Sequence, residues 1–323
     1  MRSNRSRVSG LALATLLLAC GTALAQDWPS RAVHLIVPFA AGGRVDAIGR
    51  LICETLRRDL GQPCVVETRA GAGGAIGASH VANSAPDGYT LLMASAGIMA
   101  ILPNIDRKLS YDPLKDFTAV SRVVDGFTFI GVNRDFAAKS IGELIAMARA
   151  KPGTIGYATS GIGSYGHLAG ELLTFSAAAP MVHVPYKGTG AAIADIRGGH
   201  VPVMIAGELG DLAKDGSVRI LATTNESRSP DFPQVPTLKE SGYPQFVAHS
   251  WIGLFGPAGL DPAVTRRIGD SVGRMLQDRE AQAKLQAMGS LPSFVAGADF
   301  GRQIGADLGI YADIIRQAGL KFP

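Results

Sequence analysis

No stretch beyond the first twenty-five residues approaches the ~18 uninterrupted apolar positions that a membrane-spanning helix needs. No Cys-x-x-Cys pair occurs, and the six histidines (34, 80, 167, 183, 200 and 249) are scattered without metal-ligand spacing, so nothing points to a bound metal. Runs of Lys and Arg, and basic residues interleaved with aromatics, are also missing, which argues against nucleic acid as a partner. No acid–base pair has a distinctive spacing. His167 follows Ser164 closely, but on the first turn of an expected helix, where it reads as a structural hydrogen bond or a piece of pocket wall. A secreted enzyme therefore lacks an identifiable catalytic constellation, and no cofactor is implied.

The N-terminus carries an export signal. Arg2, Arg5 and Arg7 precede a short apolar run, Leu11 to Ala19, and Ala23-Leu24-Ala25 offers small residues at the two positions a signal peptidase reads. Cleavage before Gln26 is expected. Leu17-Leu18-Ala19-Cys20 also resembles a lipobox, in which Cys20 would carry lipid, but the Ala25 site is the better one, and a free periplasmic protein is the expected product. Cleavage leaves 298 of the 323 residues, enough for two domains and a generous core. The 31 Lys and Arg less the three leader arginines leave 28, against 27 acidic residues, so the net charge falls to about +1. Cys53 and Cys64 remain. Export permits a disulfide between them, but two separate buried thiols, one on a helix and one on a strand, is the slightly preferred reading.

After the leader, short apolar runs alternate with helical patterns. Strands are expected at 34–38, 65–67, 90–94, 129–132, 156–158, 182–184, 201–205 and 219–223. Helices are expected at 46–60, 141–150, 165–175 and 191–197, with a short one ending at Val81. The alternation argues for α/β layers with mostly parallel sheets. Two apolar segments around Asp125-Gly126, and another from Ala248 to Pro257, read as crossings between domains. Everything after Asp261 reads as helical, with a break near Gly289 to Val295. The chain thus leaves a first domain and returns to it. There is no repeat and no low-complexity segment.

Four expected strands run into glycine-rich turns that open helices: Phe39-Ala40-Ala41-Gly42-Gly43, Gly71-Ala72-Gly73-Gly74, Ser160-Gly161-Ile162-Gly163-Ser164 and Tyr186-Lys187-Gly188-Thr189-Gly190. Ligands of α/β sheets sit beyond the carboxyl ends of strands. Helix N-termini there present unpaired N–H groups and partial positive charge. Glycine allows close approach of the backbone, and hydroxyls at Thr159, Ser160, Ser164 and Thr189 add donors. These are parts for holding an anion with neutral groups. Gly161-Ile162-Gly163-Ser164-Tyr165-Gly166 also fits a dinucleotide-binding pattern. However, the next strand ends at Val184-Pro185-Tyr186-Lys187 without the acidic residue that should bind a ribose, which argues against a nicotinamide enzyme. Asp46 reads as a helix-start carboxylate.

Longer landmarks then run through the chain: Trp28-Pro29-Ser30-Arg31, Ile36 to Asp46, Gly71 to Gly77, Ala85-Pro86-Asp87-Gly88-Tyr89-Thr90-Leu91, Tyr111 to Phe117, His167-Leu168-Ala169-Gly170-Glu171, Val184 to Gly188, Val235-Pro236-Thr237 and Glu240-Ser241-Gly242. In this order they resemble the Bug-type extracytoplasmic solute receptors associated with tripartite tricarboxylate transporters. The resemblance implies an α/β, two-lobed, type II-like Venus-flytrap binding protein, with mixed sheets flanked by helices and a mono-, di- or tricarboxylate in the cleft. One carboxylate would be held by main-chain amides of the first lobe, and the second lobe would close over it. The sequence departs from the family pattern at Ala40, Ala70 and Pro202, in a segment from Ala206 to Gly216 that is a residue or two short, and at Arg44, where a small or neutral residue is common. Arg44 reads as either a carboxylate ligand or a solvated rim residue.

The expected lobes are 26–126 with 249–323, and 127–248. The candidate ligand-binding set is Phe39, Ala40, Ala41, Gly42, Gly43, Arg44 and Asp46 from the first lobe, with Thr159, Ser160, Gly161, Ser164, His167, Tyr186, Gly188 and Thr189 from the second. The expected partners are a small carboxylate and membrane transporter subunits, for a monomeric receptor. The alternative is the same flytrap read by a membrane sensor protein. Edman sequencing of the exported chain should begin at Gln26; a lipid-modified start at Cys20 would contradict the leader assignment.

Overall fold

A computed structural model describes residues 28–244, 250–320 and 322. The leader, with Cys20 and the expected cleavage before Gln26, and Ala248 and His249 at the second crossing lie outside the described residues.

Six strands form the first sheet, in the order β11-β4-β10-β3-β1-β2: β1 (Val33–Val37), β2 (Cys64–Thr68), β3 (Thr90–Ser95), β4 (Phe117–Gly126), β10 (Ser250–Pro257) and β11 (Ser290–Ala296). Five form the second, in the order β7-β6-β8-β5-β9: β5 (Phe129–Asn133), β6 (Gly156–Thr159), β7 (Val182–Pro185), β8 (Val203–Ala206) and β9 (Val218–Thr223). The fold is two-lobed α/β, each lobe built on one sheet.

Both sheets are mixed rather than mostly parallel. β1 pairs parallel with β2 and β3, and β6 parallel with β7 and β8. β10 is antiparallel to β3 and β4, β11 to β4, and β5 to β8 and β9. The antiparallel members follow from the crossings: β4 and β10 carry the chain out of and back into the first sheet side by side, in opposite directions. The break near Gly289 is the edge strand β11, an element that alternation too weak to mark a buried face had concealed.

Helix α1 (Arg44–Leu60) illustrates how the local pattern builds the first lobe. Ile48, Ile52, Leu56 and Leu60 recur every fourth residue and form one buried stripe. Gly61 ends the helix in the left-handed region at φ 74°, its N–H bonded to the Arg57 carbonyl. The stripe packs on β1 and on α8 (Pro262–Gln277), whose N-cap is Asp261 and whose first residue is Pro262. The remaining helices are α2 (Ala75–Ala82), α3 (Leu102–Ile105), α4 (Ile141–Ala150), α5 (Tyr165–Ser176), α6 (Thr189–Arg197), α7 (Leu209–Lys214), α9 (Arg279–Ala287) and α10 (Gly297–Gln317). On the other face of the first sheet, Trp251 donates to Asp307 of α10 at 2.7 Å and meets Phe300 edge-on. Gly253 makes that packing possible, since a Cβ there would come within 2.4 Å of the Phe300 ring.

The first crossing is pinned from the second lobe. Asn225 Oδ1 accepts the Thr128 N–H at 3.0 Å, and its Nδ2 donates to the Gly126 carbonyl at 3.1 Å. One side chain thus satisfies the backbone on both sides of Phe127, where the ladder of neither sheet reaches.

Cys53 and Cys64 are joined by a disulfide, with Cα atoms 4.9 Å apart. This corrects the preference for two separate thiols. The parallel pairing of β1 with β2 draws Cys64 under α1, a proximity that spacing alone does not reveal. The bond closes a loop of sequence separation 11, which loop-closure entropy values at about 3 kcal/mol. A Cys53→Ser/Cys64→Ser variant should lose stability of that order in urea titrations, and an unchanged midpoint would contradict the assignment.

Candidate functional site

The cleft lies where strands end and helices begin. β1 leads through Pro38 to Gly43 into α1; β6 leads through Ser160 to Ser164 into α5; β7 leads through Tyr186 to Gly188 into α6; and β8 leads through Gly207 to α7. Between these turns is a cavity of about 660 Å³, counted with its open mouth. Its wall includes Phe39, Gly43, Arg44, Val45 and Asp46 from the first lobe, and Ser160, Ser164, Tyr165, Gly166, Thr189, Gly207 and Glu208 from the second. Ser95, Thr128 and Ser250 lie near the crossings.

The lobes touch through their backbones. The Ala40 N–H donates to the Lys187 carbonyl at 3.0 Å. A Cβ on Gly73 would come within 2.0 Å of the Ile162 carbonyl oxygen, one on Gly97 within 2.9 Å of the Gly163 carbonyl oxygen, and one on Gly43 within 2.9 Å of Thr189 Oγ1. Beside the main cavity, Pro38, Phe39 and the Gly71–Gly74 loop face Ser160, Gly161, Ile162, Tyr186 and Lys187 across a second recess.

Phe39, Gly43, Arg44, Asp46, Ser160, Ser164 and Thr189 line the main cavity. Gly161 and Tyr186 line the second recess, and the Tyr186 hydroxyl donates to Asp195 at 2.5 Å. Gly188 abuts Ala40, where a Cβ would come within 3.1 Å of the Ala40 nitrogen. The Gly42 N–H donates to Asp46 Oδ2 at 3.1 Å, and Asp46 also accepts from Arg50, so this buried carboxylate closes the turn that starts α1. Ala41 is exposed on that turn. Thr159 faces inward: its Oγ1 accepts from the Gly161 N–H and pairs with His183 Nε2 at 2.7 Å. Arg44 packs its guanidinium against Gly126 and Gly207, two glycines that leave room for it, and donates to the Gly289 carbonyl at 3.4 Å. It therefore sits neither free at the rim nor free in the cavity.

His167 lies behind the Ser160–Ser164 loop. Its Nδ1 accepts the Gly163 N–H at 3.1 Å, and its own N–H is capped by Ser164 Oγ at 3.2 Å. Its ring stacks on His183 with centroids 3.8 Å apart. Burial, with the neighbouring His183, lowers the His167 pKa to about 3, and burial lowers that of His183 to about 4. Two neutral imidazoles thus support the loop from behind.

Sequence reasoning did not single out Glu208, Ser95, Thr128 or Ser250. Only Glu208 had a signal, since it lies in the Ala206–Gly216 segment that departs from the family pattern. Among the described residues no three His, Cys, Asp or Glu side chains gather into a metal site, and no helix is long and apolar enough to cross a membrane.

A two-lobed α/β fold whose cleft is walled by helix N-termini and hydroxyls defines a solute-binding receptor. The chain belongs to the tripartite tricarboxylate transporter family receptors, whose model matches residues 48–320. It is 36% identical to Protein BugT of Bordetella pertussis over 318 residues, covering 97% of each chain. It also resembles the solved structure of the periplasmic binding protein BugD, with a TM-score of 0.87, 31% identity and coverage of 91% of this chain and 99% of that one. A structure of Rpa4515 from R. palustris with adipate gives a TM-score of 0.87 at 32% identity, with the same coverage.

The histidine pair predicts a pH dependence. Both folded pKa values lie below the ordinary 6.5, so the unfolded chain binds more protons between about pH 6.5 and pH 3–4. The pair's contribution is full above pH 6.5 and is lost as pH falls through that window. Urea titrations should show a stability loss of about 3–4 kcal/mol from this pair between pH 7 and pH 5. A His167→Gln/His183→Gln variant should lose that part of the slope; an identical slope would refute the assignment.

Proposed function

We propose that this chain is a periplasmic receptor that captures a small carboxylate between its lobes and hands it to a tripartite transporter, without chemistry. Lobe one is taken as 26–126 with 249–323 and lobe two as 127–248, and the receptor acts as a monomer after removal of its leader. The observation that carries the reading is the convergence of neutral donors on one cavity: the start of α1 from one lobe, and Ser160, Ser164 and Thr189 beside the starts of α5 and α6 from the other. Helix N-termini and hydroxyls favour an anion there without a matched cation. The adipate held by Rpa4515 supports a carboxylate as that anion.

Ligand favours closure only through contacts present in the closed form alone. A thermal-shift screen of carboxylic acids tests the capture: at ~100 times its dissociation constant, the cognate acid stabilises the fold by about 2.7 kcal/mol. Gly73→Ala tests the closure, because its Cβ would come within 2.0 Å of the Ile162 carbonyl oxygen on the facing lobe, beyond the local strain of a side chain at φ 64°. That variant should fold, stay expanded in small-angle scattering with ligand present, and bind the cognate acid at least tenfold more weakly. Full affinity in Gly73→Ala, or turnover of the acid, would overturn the reading.

A further inference from the structure

The carboxylate of Glu208 lies inside the cavity and joins the two lobes. Its Oε1 accepts the Thr189 hydroxyl at 2.7 Å, within the second lobe, and the Arg44 N–H at 3.3 Å, across the cleft. Those two donors belong to the anion-favouring starts of α6 and α1. One carboxylate is therefore already built into the site, supplied by the protein.

The surrounding charges leave it in place. Asp46 is held by the Gly42 N–H and Arg50. The Arg44 guanidinium packs against Gly126 and Gly207 and donates to the Gly289 carbonyl. Among the described residues, no Lys, Arg or His forms an ion pair with Glu208. A ligand with one carboxylate on the remaining donors meets Glu208 with its other end. A second carboxylate there would face a like charge in a site closed from water, where such contacts are costly. An ammonium or amide N–H would instead find an acceptor.

We infer that Glu208 is a specificity-determining residue that selects a monocarboxylate carrying a hydrogen-bond donor at its far end and rejects dicarboxylates of the same length. This rests on the reading of the cleft as a carboxylate site and narrows its ligand class.

The test is titration calorimetry on the disulfide-intact protein with matched pairs: succinate against 4-aminobutyrate, glutarate against 5-aminopentanoate, and adipate against 6-aminohexanoate. Wild type should bind the amino member of its best pair at least tenfold more tightly than the diacid. Glu208→Gln should reduce that preference at least tenfold, by tightening the diacid, weakening the amino acid, or both. Should Glu208→Gln fail to fold, the wild-type ratio alone decides. Tighter binding of the diacid by wild type, or a preference unchanged in Glu208→Gln, overturns the role of Glu208 while leaving the carboxylate receptor intact. Binding of no member of either series counts against both.

Discussion

The molecule depends on bringing two bare stretches of backbone into contact across a cleft. The Ala40 N–H reaches the Lys187 carbonyl, Gly73 lies against Ile162, and Gly188 lies against Ala40. Side chains at these points would hold the lobes apart. In the proposed capture, closure would exclude water from the helix starts behind the contacts, and partial charges act more strongly where water is absent. The glycines are therefore part of the electrostatics: they set how dry the cavity becomes when it shuts.

The rest of the structure keeps those loops rigid on either side. Asp46 ties the first turn of α1 to the Gly42 N–H. His167 and His183 stack beneath the Ser160–Ser164 loop as neutral rings, so they support it without adding a charge. Asn225 fixes the backbone of the first crossing from one side only, leaving Phe127 as the point between the two sheets. In the proposed capture, a few such residues would absorb the hinge rotation.

Much of this was legible in the sequence because local rules and tertiary structure agree. The fourfold apolar spacing of α1, its Gly61 stop and the glycine turns after β1, β6 and β7 each announce themselves within a few residues. What escaped depends on distant partners. β11 was hidden because it is an edge strand, defined by pairing with β4 more than 160 residues earlier in the chain. The disulfide needed the β1–β2 register, and the inward orientation of Thr159 needed His183, which belongs to the neighbouring strand β7. Arg44 was recognised as unusual, but its setting between Gly126, Gly207 and Gly289 joins three segments that no spacing relates. Glu208 stood in a visibly atypical segment, yet only the facing of α1 and α6 gives it partners.

The most direct measurement of the central claim is a crystal structure with the cognate acid bound. Closed lobes are expected, with one ligand carboxylate at about 2.7–3.2 Å from the hydroxyl of Ser160 or Ser164 and from backbone N–H groups at the helix starts that Glu208 leaves free. An acid bound instead in the groove beside Phe127, Phe232 and Leu291, with the cleft between Gly43 and Thr189 unoccupied, would contradict it.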